Sequence, residues 1–434
     1  MRSRFLSSLA IAVAVALLLV GCTPPGSSPS PTPTVFLSTS PLPTVAPTAV
    51  PVLPRSLVTT LVLWVPEELS PYADTEAASL LAQRLEAFNQ GQADLQVETL
   101  VKKAHGRGGL LDFLRTASVA APSVLPDLIL LDVEDLRVAA QAGLLQPLDG
   151  LLPTGLAEDQ YPFAAEMGEI EGRTMGVPLG VEVEHAAYWP GLFATPPLTW
   201  TGIVSAGVPF VFPAGGQDGT VNDTTLIEYL GAGGRLTDAE GNPSLDEEPL
   251  AAVLDFYARA AAAGVISPSI VLPLTDTEGC WEALLNGQAG VAAVNSRRFW
   301  TAPDVGLALA PLPSRSGRVI TLARGWMVGL VTSDPERQEQ AMELLAWLTD
   351  PDGYGPWTQS LGYLPATRSG LASWTVDEAS RTVLEALLEG AQAAPPQPIH
   401  EAIGPVIQDA VEAVLTGQRS PTEAARQAVE SLQP

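Results

Sequence analysis

The chain has 434 residues and a formal net charge of −26 at pH 7, from 48 acidic and 22 basic side chains. So acidic a surface repels polyphosphates and anionic lipid headgroups, and lysine occurs only at Lys102 and Lys103, so nucleic acid is not expected as a partner. Two cysteines, Cys22 and Cys280, and three scattered histidines, His105, His185 and His400, show no metal-ligand spacing; no metal or other cofactor is expected.

Arg2 and Arg4 precede an apolar run from Phe5 to Val20, and small residues follow up to Cys22, the pattern of a secretory signal peptide over 1–21. The run falls short of the roughly 20 residues that a spanning helix needs. Leu19–Val20–Gly21–Cys22 resembles the bacterial lipobox. That resemblance implies cleavage before Cys22, lipidation of Cys22, and a body held at the outer face of the cell membrane. Cys280 is then the only unmodified cysteine, so no intrachain disulfide is expected. Residues 23–56 are Pro, Ser, Thr and Ala without periodicity, a composition that buries no core and forms a semi-rigid tether. Fully extended as polyproline II, it reaches about 100 Å at ~3.1 Å per residue.

Residues 57–434 are too many for one ordinary core, so two lobes are expected. Leu57–Val65 reads as a strand buried on both faces, followed by a helix bearing Leu80, Leu81, Leu85 and Phe88, and a strand at Leu95–Val101. A helix over 109–120, a strand at Leu128–Leu131 and a further helix continue the alternation, which implies a largely parallel sheet with right-handed crossovers. Ligands of such sheets gather at the carboxyl ends of strands, which here carry Trp64, Glu67, Asp132 and Glu134.

From Gly176 to Trp189 apolar residues alternate at Val177, Leu179, Val181 and Val183, predicting one extended strand with Glu182 and Glu184 on its other face. We read it as the crossover between the lobes, its polar face turned to the cleft. Beyond it the pattern predicts a strand at Val208–Phe212 and helices near 222–231, 249–263 and 279–287. A strand at Ala289–Val294 and a second crossover at Leu307–Pro313 follow. Val319–Leu322 and Met327–Val331 read as a hairpin-like return through Arg324–Gly325–Trp326. Helices near 335–349, 376–390, 399–416 and 421–432 end the chain.

This order of pieces resembles the extracellular solute-binding proteins of ABC importers, in the family that includes maltose- and oligosaccharide-binding members. The matching pieces include Leu61–Trp64, Pro126–Ile129, Gly143–Asp149, Gly176–Pro178, Pro197–Trp200, Asn286–Val291, Gly325–Trp326 and Gly362–Ala366. The resemblance implies a two-lobe α/β periplasmic-binding-protein-like fold of type II closing on a solute. By analogy lobe one holds 57–181 and about 312–350, lobe two 182–311 and about 351–434. Carried over by position, Trp64 and Glu67 match the tip after the first strand, and Asp132 and Glu134 an acidic tip that binds sugar hydroxyls. Glu182 and Glu184 match crossover positions. Arg297 stands where several sugar binders place a stacking tryptophan, and His400 where many offer an aromatic. Tyr188, Asn295 and Tyr363 lie within or beside the matching pieces and join the candidate set.

Of the nine tryptophans, most are expected in the core, Trp347 on an apolar helix face among them. Trp64, Trp281 and Trp326 stand at element ends or beside glycines, where an indole can cover a sugar face. Gly325 lets backbone approach a ligand closely. Paired carboxylates also serve glycoside hydrolysis, yet Glu182 and Glu184 sit in no recognisable hydrolase framework. Gly106–Arg107–Gly108–Gly109 lacks the Lys-Ser/Thr of a P-loop. Cys280 reads as a small buried hydrophobe, and Glu67–Glu68 and Glu247–Glu248 as solvated surface. The reading is therefore a lipid-anchored receptor, not an enzyme, passing a small polar solute, best a carbohydrate, to membrane permeases. An anchored glycoside hydrolase and a receptor feeding a sensor are the alternatives. An acidic cleft with one well-placed arginine suits a polyamine-like solute as well.

Overall fold

Ten of the twelve strands among the described residues build the two main sheets. They are β1 (Thr59–Pro66), β2 (Leu95–Lys102), β3 (Leu128–Asp132), β4 (Val177–Glu182), β5 (Glu184–Tyr188), β6 (Phe210–Val211), β7 (Val291–Asn295), β8 (Ala308–Ala310), β9 (Thr321–Leu330) and β10 (Ala391–Ala393). This computed structural model describes residues 58–432; Cys22 and the tether lie outside the described residues. β1 pairs in parallel with β2 and β3, because helices Glu76–Gly91 and Leu110–Ala120 carry the chain back between successive strands. β9 then runs antiparallel to β3 on one side and to β4 on the other, and its first residues pair in parallel with β10. A second sheet has the order β8-β5-β7-β6. The strand ends follow the sequence closely, since strands buried on both faces read as unbroken apolar runs.

The predicted single strand over the crossover is two strands. β4 belongs to the large sheet and β5 to the small one, and the chain changes sheets at Val183. Val183 is buried, and Ser296 fastens it: the Ser296 hydroxyl accepts from the Val183 N–H at 3.1 Å, and the Ser296 N–H donates to the Val183 carbonyl at 2.8 Å. Glu182 and Glu184 thus stand at adjoining ends of two different sheets.

The predicted hairpin through Gly325 is a single ten-residue strand. Gly325 does not turn the chain. It has φ of +154°, and a Cβ there would collide with the Gly180 carbonyl oxygen, so glycine is required for β9 to lie against β4. The register shifts between Trp326 and Met327, the mark of a bulge that re-aims neighbouring side chains.

Two hydrophobic cores flank the crossover. The first gathers Leu61, Leu63, Ile129, Leu131 and Met327, each no more than 1% exposed; the second gathers Phe210, Leu254, Tyr257, Val294 and Ile407. Each such side chain contributes about 1.5–3 kcal/mol on burial. The analogy placed all of 351–434 with the second lobe. Instead Tyr354, Trp357, Leu371, Leu384 and Leu388 join the first core, and the chain reaches the second core only from Ala394 onward. Asp127, in a motif quoted for the resemblance, is a fastening: it accepts from the Val62 N–H at 2.7 Å and from Arg337 Nε at 2.7 Å. Trp347 differs from its expected core position. It is 38% exposed, its indole N–H reaches the Arg84 carbonyl at 2.9 Å, and its ring leans on Phe88. Among the described residues no helix is long and apolar enough to cross a membrane.

Candidate functional site

The carboxyl ends of β1, β3 and β4 come to one edge of the large sheet, where the topology of an α/β sheet leaves a crevice. Two cavities that share Glu134 and Arg324 open there, of about 290 and about 570 Å³. Pairing in the sheet explains the grouping. Trp326 of β9 lies opposite Asp132 of β3, and Arg324 lies opposite Glu182 of β4.

The smaller cavity holds seven of the sequence candidates: Asp132, Glu134, Glu182, Arg297, Gly325, Trp326 and Tyr363. Trp326 is 5% exposed, donates its indole N–H to the Tyr363 hydroxyl at 3.1 Å, and stacks against His105 with ring centroids 6.0 Å apart. Gly180 makes room for Tyr363, whose Cβ would lie 3.0 Å from any Cβ at that position. Arg297 lies over the Tyr363 ring at 4.5 Å and pairs with Glu68 at 2.8 Å. An aromatic floor and a rim of acids and guanidinium result. Glu184 lies in the larger cavity, accepting from the Thr224 hydroxyl at 2.5 Å.

Five candidates lie elsewhere. Trp64 is a core residue, 2% exposed, packed edge-on against Phe113 with Lys102 over its ring at 4.4 Å. Glu67 lines neither cavity of the cleft; its neighbour Glu68 does, so that half of the supposed surface pair belongs to the site. Tyr188 packs against Phe193 beside Pro196 and Pro197. Trp281 is 2% exposed in the second core and borders a separate groove with Phe299 and Trp300. Asn295 holds the start of helix Ser296–Thr301, its side chain accepting from the Arg297 N–H at 2.8 Å. That cap fixes Arg297 at the cleft without Asn295 lining it.

The electrostatics centre on Arg324. Its Nε and Nη2 bind the two carboxylate oxygens of Asp223 at 2.7 and 2.9 Å. Burial works against both charges, but each partner supports the other, so Asp223 stays below the usual carboxylate range and Arg324 above the usual guanidinium range. Burial pushes Glu184 up, and neighbouring Asp223 adds to the effect. Glu182 is raised chiefly by burial, with Arg297 opposing. His185 on β5 is buried and held low, to about 4, by the same cause; it packs edge-on against Phe299 and does not reach the cleft.

Sequence reasoning missed Glu68, His105, Asp223 and Arg324 as site residues. His105 has a legible signal, following the strand that ends at Lys102. Its ring nitrogen lies 3.1 Å from Asp132 and 3.5 Å from Asp135. Asp223 opens the helix Asp223–Gly231 next to its Asn222 cap, and nothing in that pattern tells a cleft residue from an ordinary first-turn acid. His400, singled out by position, does line the larger cavity, its Nε2 3.2 Å from the Val221 carbonyl.

Residues 83–381, more than half of the chain, match the family described as bacterial extracellular solute-binding protein. The chain belongs to that family. Its fold is the two-lobe fold of solved members. It is similar to the cyclic alpha-maltosyl-1,6-maltose binding protein from Arthrobacter globiformis, with 20% identity and a TM-score of 0.69 over 86% of this chain and 98% of that one. It is similar to the sugar-binding protein MalE from Xanthomonas citri, with 19% identity and a TM-score of 0.68 over 86% and 96%. It is similar also to an extracellular solute-binding protein of family 1 from Alicyclobacillus acidocaldarius, with 16% identity and a TM-score of 0.67 over 87% and 98%. A comparison with curated protein sequences finds no match. Family members bind solutes outside the cytoplasm, and this solute-binding protein shares their architecture.

Proposed function

We propose that this solute-binding protein is the capture component of an ABC importer, and that its cleft takes a small carbohydrate for delivery to membrane permeases. The observation that carries the reading is the arrangement around Trp326. An aromatic floor of Trp326 and Tyr363 lies beneath the acceptor carboxylates of Asp132, Glu134 and Glu182. Carboxylates orient hydroxyls, and aromatic faces cover the apolar side of a sugar ring. Two of the similar structures are of sugar-binding proteins, which supports the same reading. A thermal-shift screen over mono- and oligosaccharides tests it. A ligand at 100-fold its Kd raises stability by about 2.7 kcal/mol, and a panel of sugars without any shift overturns the carbohydrate assignment.

The protein is proposed to do no chemistry. Glu182 and Glu184 open onto different cavities, which does not suit a carboxylate pair facing one glycosidic bond. Aryl glycosides incubated with the protein are expected to stay intact; turnover lost in Glu182→Gln would show a hydrolase. The lipid anchor rests on the Leu19–Cys22 sequence alone. Cys22→Ser is expected to release the protein from membranes to the soluble fraction, and retention of the variant would rule out the anchor.

A further inference from the structure

The balance of charge in the cleft is lopsided. Nine carboxylates and two guanidiniums line the two cavities. Both guanidiniums are already neutralised from within the protein, Arg324 by Asp223 and Arg297 by Glu68. The imidazole of His105 is held between Asp132 and Asp135. What remains are acceptors. Glu134 pairs loosely with Arg137 through one oxygen, at 3.8 Å, and its other oxygen, Oε1, has no hydrogen-bond partner. Glu182 has the Asn295 side chain for a donor, and Glu184 the Thr224 hydroxyl. These three lie where the cavities adjoin, on β4, on β5 and at the carboxyl end of β3.

A sugar hydroxyl donates to a carboxylate but leaves its charge in place. A protonated amine donates and neutralises at once, which is the stronger interaction in a partly desolvated site. Resting on the solute-receptor reading above, we propose that the solute carries a protonated amine beside its hydroxyls, as an amino sugar does. The ammonium is received by Glu134 and Glu182 next to the Trp326–Tyr363 floor, and Glu184 faces the rest of the solute. Burial, which raises the carboxyl groups of Glu182 and Glu184 in the free protein, is the cause that a bound cation offsets.

Titration calorimetry of the purified protein with four probes tests this: the β-1,4-linked glucosamine disaccharide, its N-acetylated counterpart, cellobiose and spermidine. The glucosamine disaccharide is expected to bind at least about tenfold tighter than the two neutral sugars, a difference of about 1.4 kcal/mol. In Glu134→Gln and in Glu182→Gln the glucosamine disaccharide should lose more affinity than cellobiose does, so that the preference shrinks below about threefold; a merely structural role would weaken all probes by the same factor. Either variant suffices if the other fails to fold. Neutral sugars binding as tightly as the amine would overturn the inference and leave the carbohydrate receptor standing. Tight binding of spermidine with no sugar bound would uphold the ammonium site and overturn the carbohydrate reading. No binding by any probe counts against both.

Discussion

Arg324 and Asp223 form a two-pronged ion pair that ties β9 of the large sheet to the first turn of helix Asp223–Gly231 in the second core. The pair stands between the two cavities, and Arg324 lines both. It therefore sets the distance between the two halves of the cleft as well as their charge. Asp223→Asn keeps the shape and removes the charge. It should lower stability by about 1.5–3 kcal/mol, the range for hydrogen bonds to charged groups, and weaken the binding of any solute that stabilises the protein. Arg324→Lys cannot reproduce the fork and should fall short of wild type in both respects. Chemical denaturation with and without solute reads the two effects separately, and an Asp223→Asn protein of wild-type stability would show the pair to be incidental.

Trp64 and Trp326 should behave differently on truncation. Trp64 has no access to either cavity, so Trp64→Ala should cost about 3–5 kcal/mol, while the surviving folded fraction binds solute with unchanged affinity. Trp326 is a strand residue that also floors the smaller cavity, so Trp326→Ala should lower both the melting temperature and the shift that solute produces. Thermal melts of both variants decide the matter. A Trp326→Ala protein that melts early yet binds normally would take the indole out of the site.

Tyr363 offers a finer test of the same floor. Its hydroxyl accepts from the Trp326 indole N–H at 3.1 Å. Tyr363→Phe preserves the ring under Arg297 and leaves that buried N–H unsatisfied, a loss of about 1–3 kcal/mol. Urea unfolding should show the loss at every pH at which the wild type is folded. A variant as stable as wild type would mean that the indole finds another partner.

Glu228 predicts a pH dependence. It is 1% exposed in helix Asp223–Gly231, neither of its oxygens has a hydrogen-bond partner, and burial holds its carboxyl well above the usual 4.5. The folded protein keeps that proton where the unfolded chain has lost it. This group's contribution is therefore complete below about pH 4.5 and declines as pH rises, by up to about 1.4 kcal/mol per pH unit until the folded group ionises. Glu228→Gln should remove that slope and make the protein more stable than wild type at pH 8. Unfolding curves of the two proteins between pH 4.5 and 8 measure the difference directly, and parallel pH profiles would refute a protonated Glu228.

Much of the fold was legible because its signals are local. An unbroken apolar run such as Leu61–Trp64 is a strand buried on both faces wherever it lies, and caps such as Asp334 before Pro335 mark helix starts. The acids at the ends of β3 and β4 could be placed at the cleft for the same reason, since strand ends follow from the pattern and the sheet gathers them at one edge. The sequence by itself settled the early alternation of strands and helices, the place of the crossover and the acids at the strand ends. Tertiary structure decided the rest. Nothing near Trp64 and Trp326 distinguishes a core indole from a cleft indole, because the difference lies in what distant segments bring to each ring: Phe113 and Lys102 to Trp64, His105 and Tyr363 to Trp326. Nor does Gly325 announce a close contact with Gly180, 145 positions away, in place of a turn. Arg324 and Asp223, or Arg297 and Glu68, meet only when distant segments pack. An ion pair depends on distances of a few ångströms in space, and the spacing of residues along the chain carries no record of them.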